Sequence, residues 1–249
     1  MPIGLGVSLG IGGGRPATSS GAPSAGFSNS ASIRLDGTND YVDIPDSTDL
    51  ELSAFSWSVW FKVDTLAEYA NLVDTSTSSS FGNGFTLFMR PTGHASAKKI
   101  CWRSYKAADD IHSSTEIAAD TWYHVVATHA TGADKLYING SLVASGSAAN
   151  FSVSDVANLR FGSSNQFSLY MDGFLDEISF FSSALSASDA SAIYNSGTPA
   201  DLDSYSPVGW WRMGDICGSS GPNIANQGSG SSIDGTLTNG PTFTTDVPT

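Results

Sequence analysis

Residue types that enzymes use for nucleophilic or phosphate chemistry occur in this chain only in unsuitable settings. The Gly-x-Ser-x-Gly match at residues 6–10 lacks the strand–turn–helix context in which such a serine becomes a nucleophile. Residues 12–14 share only their glycines with a phosphate loop, because no Lys-Ser/Thr pair follows. The four histidines have no recognisable catalytic partner: His94, His112, His124 and His129. His124 lies in an apolar strand pattern, where we expect a hydrogen-bonded structural role. These patterns predict that the protein is not an enzyme.

Carboxylates are the most abundant charged groups of the chain. Of its 24 acidic residues 20 are aspartates, many beside Gly, Asn or Ser, which is typical of turns and also suits oxygen-ligand cation sites. Because there are only 11 Lys and Arg residues, the net charge is -13, and such a surface repels phosphate backbones and anionic membranes. Apolar runs stay short of membrane-spanning length, and residues 1–14 fit a secretory signal poorly. We therefore expect neither nucleic-acid binding nor membrane insertion.

Two cysteines, Cys101 and Cys217, are too few for a zinc cage or a disulfide framework. We expect two unpaired, partly buried thiols, with a single bridge between them as the alternative.

Hydrophobic alternation predicts an antiparallel β-sandwich. Residues 55–63 alternate apolar and polar with the period of a half-buried strand. Shorter apolar runs follow at regular intervals, namely 85–89, 100–105, 122–128, 136–138, 142–144, 159–162 and 174–181. Asn139-Gly140 predicts a two-residue hairpin turn, because both central residues of that turn need positive φ. One short helix is expected at residues 187–194, with Ser186 as its cap and its end near Gly197.

Composition divides the chain into three segments. Residues 1–29 form a Gly/Ser/Pro-rich arm that cannot build a core of its own, so we expect its own sandwich, a neighbouring copy or another protein to hold it. Residues 30–195 carry the strand pattern of the sandwich. Residues 196–249 form a C-terminal segment that contains further strand patterns.

Five motifs in this order resemble the laminin G-like domains of the concanavalin A-like lectin/glucanase superfamily. They are the sequences at residues 35–42, 55–60, 122–125, 136–140 and 173–178. The resemblance implies an all-β, antiparallel jelly-roll β-sandwich with one short helix and an extended N-terminal arm. Residues 209–215 and 234–241 look like the opening strands of such a domain, although here they follow it. We expect them to close the same sandwich, with completion of a neighbouring copy as the alternative.

Asp176 is the aspartate for which the resemblance implies a metal role. By strand alternation it shares a face with Ile178 and Phe180, so its carboxylate needs a partner. In related sandwiches the equivalent aspartate and an early Asp-Gly turn bind a structural Ca²⁺, which implies Asp36, the Gly37 carbonyl and Asp176 as ligands. The alternative without metal is that Asp176 accepts hydrogen bonds from backbone N–H groups of the 36–40 turn.

Sugar binding is the activity that the resemblance leaves open. The glucanase branch places glutamates either side of an aspartate on one strand, a pattern that the four glutamates of this chain do not form. Aromatic platforms and planar polar groups hold sugars, and Trp102 and Tyr105, close to Arg103 and Lys106, are the predicted contacts. The alternative is that both aromatic side chains belong to the core.

The order of the segments and the glycine-rich leader also resemble virion proteins of tailed bacteriophages. We therefore expect a non-enzymatic protein on the virion exterior, either a capsid decoration or an appendage. Its arm would bind other virion proteins such as the major capsid or tail proteins, and its sandwich would bind cell-surface glycans in many copies or as a homo-oligomer. The alternatives are a Ca²⁺-dependent secreted or cell-surface lectin and a divergent glycoside hydrolase.

Overall fold

Two antiparallel sheets pack face to face in the computed structural model, which describes residues 27–76, 84–104, 110–147, 158–215 and 221–249. In chain order the strands are β1 (Ser32–Asp36), β2 (Tyr41–Ile44), β3 (Phe55–Val63), β4 (Ala70–Asp74), β5 (Phe85–Met89), β6 (Lys99–Ser104), β7 (Ile111–Glu116), β8 (Tyr123–Ala130), β9 (Ala133–Ile138), β10 (Ser141–Gly146), β11 (Leu159–Phe161), β12 (Asp172–Phe181), β13 (Gly209–Trp211), β14 (Asn223–Ile224), β15 (Gly235–Thr238) and β16 (Thr242–Thr244). The predicted all-β sandwich is confirmed.

The strands divide evenly between the two sheets. The first, called the helix-side sheet, has the order β10-β9-β8-β3-β12-β1-β16, and β13 also pairs with β12. The second, called the groove-side sheet, has the order β14-β15-β2-β11-β4-β5-β6-β7. The core between them is rich in buried aromatic rings. Its largest members are Phe55, Trp57, Phe85, Trp102, Phe161, Phe180 and Trp211.

The predicted hairpin turn is confirmed between β9 and β10. Asn139 and Gly140 have φ of 48° and 74°, the left-handed values that a two-residue turn between antiparallel strands requires. The turn sets the register in which Ser141 faces Ile138.

Strand β3 is buried on both faces, whereas its alternation predicted a half-buried strand. Trp57 belongs to the core, and the side chains of Ser56 and Trp60 lie on the opposite face, which is also covered. There Ser56 Oγ donates to the Ser183 carbonyl and accepts from Leu185 N–H, each at 2.8 Å. Polar residues fit this second buried face because the covering segment satisfies their hydrogen bonds.

That covering segment contains the α-helix α1 (Ala187–Tyr194), with the bounds that the sequence predicts. Ser186 and Asp189 form a reciprocal capping box at its start, and Asn195 ends it in the left-handed conformation. Ala190 and Ile193 of the helix pack into a second apolar cluster on the outer face of the helix-side sheet. In the described parts of the chain there is no helix long and apolar enough to cross a membrane.

The C-terminal segment adds strands to both sheets of its own chain. β13 pairs with β12, β15 with β2, and β16 with β1. Trp211 of β13 is fully buried in the core, and its Nε1 donates to the Ile233 carbonyl at 2.8 Å. Residues 209–215 and 221–244 are therefore integral to the sandwich described here.

Candidate functional site

The outer face of the groove-side sheet carries a row of polar side chains across five neighbouring strands. In register order the row runs from Asp43 through Arg160, Asp74 and Thr86 to Arg103. Because neighbouring strands lie about 4.8 Å apart, the row extends over roughly 19 Å. Alternation along each strand explains it, since the residue before each of these belongs to the core between the sheets.

Part of this row lines a groove of about 240 Å³. Strands β4, β5 and β6 form its floor, and the connections that follow β5 and β11 form its sides. The lining residues are Tyr69, Asn71, Asp74, Thr86, Phe88, Arg90, His94, Arg103, Ser164, Phe167 and Leu169.

One end of the groove is a cluster of two arginines around one carboxylate. Arg103 donates from Nε to Asp110 Oδ1 at 2.6 Å and from Nη2 to Asp110 Oδ2 at 2.5 Å, and Arg90 Nη2 donates to Asp110 Oδ2 at 2.6 Å. Burial alone would raise the pKa of Asp110, but hydrogen bonds and charge from the two guanidiniums hold it below its usual range. Both guanidiniums lie over the Phe88 ring, at 5.7 Å for Arg90 and 5.2 Å for Arg103.

The other end of the groove contains a buried aspartate with an unused oxygen. Asp74 is 1% exposed, and its Oδ1 accepts from Ser76 N–H at 2.6 Å. Its Oδ2 is buried and has no hydrogen-bond partner of normal geometry among the described residues. Burial raises the pKa of Asp74, and hydrogen bonding to Ser76 offsets part of this rise. Such an oxygen is an acceptor available for a ligand hydroxyl.

Aromatic rings flank the groove. Phe167 is 43% exposed, which is unusual for phenylalanine in a well-packed sandwich. Its loop is held by Ser164 Oγ, which accepts from the N–H groups of Gln166 and Phe167. Tyr69 contacts Phe88 with ring centroids 6.1 Å apart. The rim therefore offers an apolar surface beside hydrogen-bonding groups.

Trp102, predicted as a sugar contact, is a core residue. It is 1% exposed, and its Nε1 donates to Asp134 Oδ2 at 3.1 Å between the sheets. Strand alternation explains the correction, because on β6 the side chains of Cys101 and Arg103 face outward and Trp102 faces inward. Tyr105 and Lys106 lie outside the described residues.

The predicted calcium ligands do not converge. In the β1–β12 ladder Asp36 faces Asp172, whereas Asp176 lies beyond the pair Ile33–Leu175 at the other end of β1. Four residue positions separate the two ends, which is roughly 13 Å along the strands. Ligands of one Ca²⁺ ion lie about 2.3–2.6 Å from it, so Asp36 and Asp176 cannot share an ion.

The surroundings of each predicted ligand also argue against that site. Asp36 Oδ1 accepts from the N–H groups of Thr38 and Asn39, and so acts as a turn residue. Burial, then the neighbouring Glu177 charge, raises the pKa of Asp176 well above its usual value, and both of its oxygens already accept hydrogen bonds from the protein. Gly37 lies beside Asp36, far from Asp176. The three residues therefore do not fit a shared Ca²⁺, and the described residues hold no cluster of three or more His, Cys, Asp or Glu suited to a metal.

Asp176 also lies on a different face, with different partners, from those predicted. A bulge between Asp176 and Ser179 shifts the alternation of β12, so Ile178 faces the core and Asp176 faces outward. Its Oδ2 accepts from Asn29 Nδ2 at 2.9 Å and its Oδ1 from Glu177 N–H at 2.8 Å. Its hydrogen-bond donors therefore come from residues 29 and 177, and the alternative of donors from the 36–40 turn is corrected as well.

Glu177 of the same bulge forms a buried cluster with the C-terminal segment. It has φ of 43°, and its carboxylate accepts from Trp210 Nε1 at 2.5 Å and from Arg212 Nε at 2.8 Å. Phe27 stacks on Trp210 with ring centroids 6.2 Å apart, and the Ser28 carbonyl accepts from Arg212 Nη2. Residues 27–29, the end of the predicted arm, therefore pack on their own sandwich.

Two further predictions concern single side chains. His124 is fully buried, and its Nε2 lies 2.8 Å from Ser58 Oγ, which confirms its structural role. Burial lowers the pKa of His124 to about 3. Cys101 is a buried free thiol, and Cys217 lies outside the described residues.

Comparison with known proteins identifies relatives of the fold. Residues 36–191 match the concanavalin A-like lectin/glucanases superfamily. A Bacteroides ovatus protein provisionally described as carbohydrate binding is similar in structure (TM-score 0.70, 18% identity), with 89% of this chain and 62% of that chain covered. No curated protein matches the chain in sequence.

Two carbohydrate-binding domains of bacterial enzymes are similar over a shorter range. The Ruminococcus gnavus IT-sialidase CBM40 bound to α2,3 sialyllactose has a TM-score of 0.55 and 15% identity, with 66% of this chain and 96% of that chain covered. Domain 4 of a Geobacillus stearothermophilus extracellular arabinanase, in complex with arabinotriose, has a TM-score of 0.52 and 19% identity, with 66% and 76% covered. At these identities the similarity shows the fold.

Proposed function

Because the chain belongs to the concanavalin A-like lectin/glucanases superfamily, we propose that it is a non-catalytic carbohydrate-binding protein and that the groove on the groove-side sheet holds the glycan. The observation that carries this proposal is the combination of an exposed aromatic ring, Phe167, with convergent polar groups on a rigid sheet floor. Sugars present apolar ring faces and hydroxyl edges, so a concave site with these two kinds of surface suits them.

The polar groups of the groove can bind hydroxyls in both directions. Asp74 Oδ2 can accept a hydrogen bond from a ligand hydroxyl, and Asn71 offers both a carbonyl and an amide group. Thr86 Oγ1 lies 3.4 Å from Asn71 Oδ1, at the margin of hydrogen-bonding distance. A ligand hydroxyl would therefore replace a weak contact.

The similar structures support the same class of ligand. The sialidase domain was solved with α2,3 sialyllactose and the arabinanase domain with arabinotriose, so this fold carries carbohydrate sites in proteins of related architecture. The sugar differs between those two proteins, so the fold does not determine which sugar is bound. The ligand of this chain must be inferred from the residues of its groove.

Binding without hydrolysis is the function that the acidic residues favour. Retaining and inverting hydrolysis both need two carboxyl groups that can reach the glycosidic bond. Both oxygens of Asp110 are taken by Arg90 and Arg103, so among the described residues of the groove lining Asp74 has no second carboxylate beside it. Release of reducing sugar by the purified protein, abolished by Asp74→Asn, would contradict this part of the proposal.

A position on the exterior of a tailed-phage virion is the setting that we propose for this binding. The Gly/Ser/Pro-rich composition of residues 1–26 suits a segment that binds other virion proteins, and many copies would strengthen weak binding to cell-surface glycans. Deletion of residues 1–26 should abolish incorporation into particles and leave glycan binding unchanged. Incorporation of the shortened protein at the normal level would refute the role of the arm.

A glycan array followed by calorimetry tests the binding proposal. We expect reproducible binding to at least one oligosaccharide and a loss of about five- to tenfold in affinity for Phe167→Ala, since stacking of this size contributes about 1–1.5 kcal/mol. Phe243→Ala is the matched control, because Phe243 is 38% exposed on β16 of the other sheet. Absence of binding, or equal loss in both variants, would overturn the proposal.

A further inference from the structure

We propose that the groove selects anionic sugars, with the acidic group of the sugar at the Arg90–Arg103 end and its neutral hydroxyls at the Asp74 end. This inference rests on the proposed function, because it concerns the ligand of the same groove. It follows from the charge, burial and spacing of the groove residues.

Charge is the first observation. Among the described residues the two guanidiniums pair with one carboxylate, that of Asp110, so the described groups at this end of the groove carry one excess positive charge in a chain of net charge -13. Burial, and then the nearby Arg90, lowers the pKa of His112, so that neighbouring ring adds no positive charge at neutral pH. The excess charge therefore belongs to the arginines.

Burial makes this excess charge effective. The side chains of Arg90 and Arg103 are 11% and 26% exposed, so solvent screens them less than a surface pair. The Phe88 ring supports both guanidiniums from one side, and Asp110 fixes their orientation. A preorganised cationic site of this kind binds an anion at a lower entropic cost than flexible lysines would.

Spacing distinguishes an acidic sugar from a simple anion. Asp74 faces Thr86, and Thr86 faces Arg103, on three successive strands, so the two ends of the groove are about 10 Å apart. At the far end Asp74 Oδ2 is buried and has no hydrogen-bond partner of normal geometry among the described residues. A carboxylate there would repel a second anion but would accept a hydrogen bond from a hydroxyl. The ligand should therefore carry its charge at one end and hydroxyl groups at the other.

Titration calorimetry with three related sugars tests the inference on the full chain. The probes are lactose, α2,3-sialyllactose and sulfated lactose, each at low and high salt. We expect at least one of the two acidic sugars to bind tenfold or more tightly than lactose, with the difference shrinking at high salt. Comparison of the two acidic sugars distinguishes a carboxylate from a sulfate as the preferred group.

Arg103→Gln should remove most of the preference for the acidic sugar, so that this variant binds the acidic sugar and lactose with affinities within about twofold of each other. Arg34→Gln is the matched control, because Arg34, like Arg103, pairs with aspartate, here Asp64 and Asp172, and lies over a phenylalanine, but on the helix-side sheet. It should keep the full preference. Should Arg103→Gln fail to fold, Arg103→Lys keeps the charge, and the salt dependence of the wild type still tests the inference.

The failures of the two proposals are distinguishable. Equal affinity for lactose and the acidic sugars, or a preference that salt does not change, would overturn the anionic selectivity while glycan binding stands. Failure of every array sugar and all three probes to bind would overturn the proposed function itself.

Discussion

Arg212 Nε donates a hydrogen bond to Glu177 Oε1 at 2.8 Å, joining the bulge of β12 to the C-terminal segment. Both side chains are nearly inaccessible, at 10% and 2% exposure. Trp210 Nε1 donates to the other carboxylate oxygen, so the charge of Glu177 is compensated on both sides. The pair joins segments that are distant in sequence, so its loss should lower the stability of the whole sandwich.

Arg212→Met should lower the free energy of unfolding by about 3–5 kcal/mol, because it leaves the Glu177 charge buried without its partner. Urea denaturation measures this. The control is Arg160→Met, which breaks the more exposed pair with Asp43 (27% and 30% exposed) and should cost less than about 1 kcal/mol. Equal losses in the free energy of unfolding would contradict the prediction that the buried pair contributes more to stability than the exposed one.

Glu177 should also make stability depend on pH. Burial raises its pKa to about 7 from a usual 4.5, against the opposing effects of Arg212 and Trp210. The folded state therefore holds this proton more tightly, and the resulting stability, roughly 3 kcal/mol, is complete below about pH 4.5 and lost by about pH 7.

Glu177→Gln removes this titration. The free energy of unfolding of the wild type relative to the variant should therefore decrease as pH rises from about 4.5 to about 7. His124, whose pKa is lowered, changes stability in the opposite direction, but it is present in both proteins and cancels in the difference. Denaturation curves across this pH range give the measurement, and a difference that stays constant would contradict the prediction.

Trp102→Ala should destabilise the protein by about 3–5 kcal/mol, since it leaves a large cavity between the sheets. Its position in the core also predicts that the folded fraction keeps its affinity for glycans. Leu142→Ala, at a side chain 54% exposed on β10, serves as the control and should change stability by no more than about 0.5 kcal/mol. If Trp102→Ala lost little stability but bound sugar more weakly, Trp102 would be a sugar contact, as the sequence predicts.

Cys101 should be unreactive in the native protein. It is buried, and burial raises the pKa of its thiol to about 11, so little thiolate forms at neutral pH. In a Cys217→Ser variant, an aromatic disulfide reagent should label Cys101 only after urea is added. Rapid labelling without urea would show that the outer face of β6 is open at this position.

Local patterns in the sequence were sufficient to predict the elements. The alternation of residues 55–63 predicts the bounds of β3, the apolar run 85–89 those of β5, and the Ser186–Asp189 capping box the start of α1. Each of these signals acts within a few residues of chain. The family resemblance supplied the arrangement of the strands, which alternation alone does not specify.

The site was harder to predict because it depends on neighbours in space. Asp176 was assigned to the wrong face, since counting every second residue cannot reveal the extra residue that Glu177 inserts into β12. Thr86 and Phe88 stand out as groove residues only when β4, β5 and β6 are known to be adjacent. The sequence does contain one local signal for the groove. Thr86, Phe88 and Arg90 follow one another at every second position, the spacing of side chains on one face of a strand, and all three line the groove.

The pairing of β16 with β1 has a consequence for synthesis of the protein. The two strands are about 200 residues apart in sequence, so β1 is synthesised well before its neighbour β16. Until β16 has been synthesised, one side of β1 has unpaired backbone groups, and this ladder closes only by a contact of long sequence separation. The nascent chain therefore has an exposed strand edge during that interval.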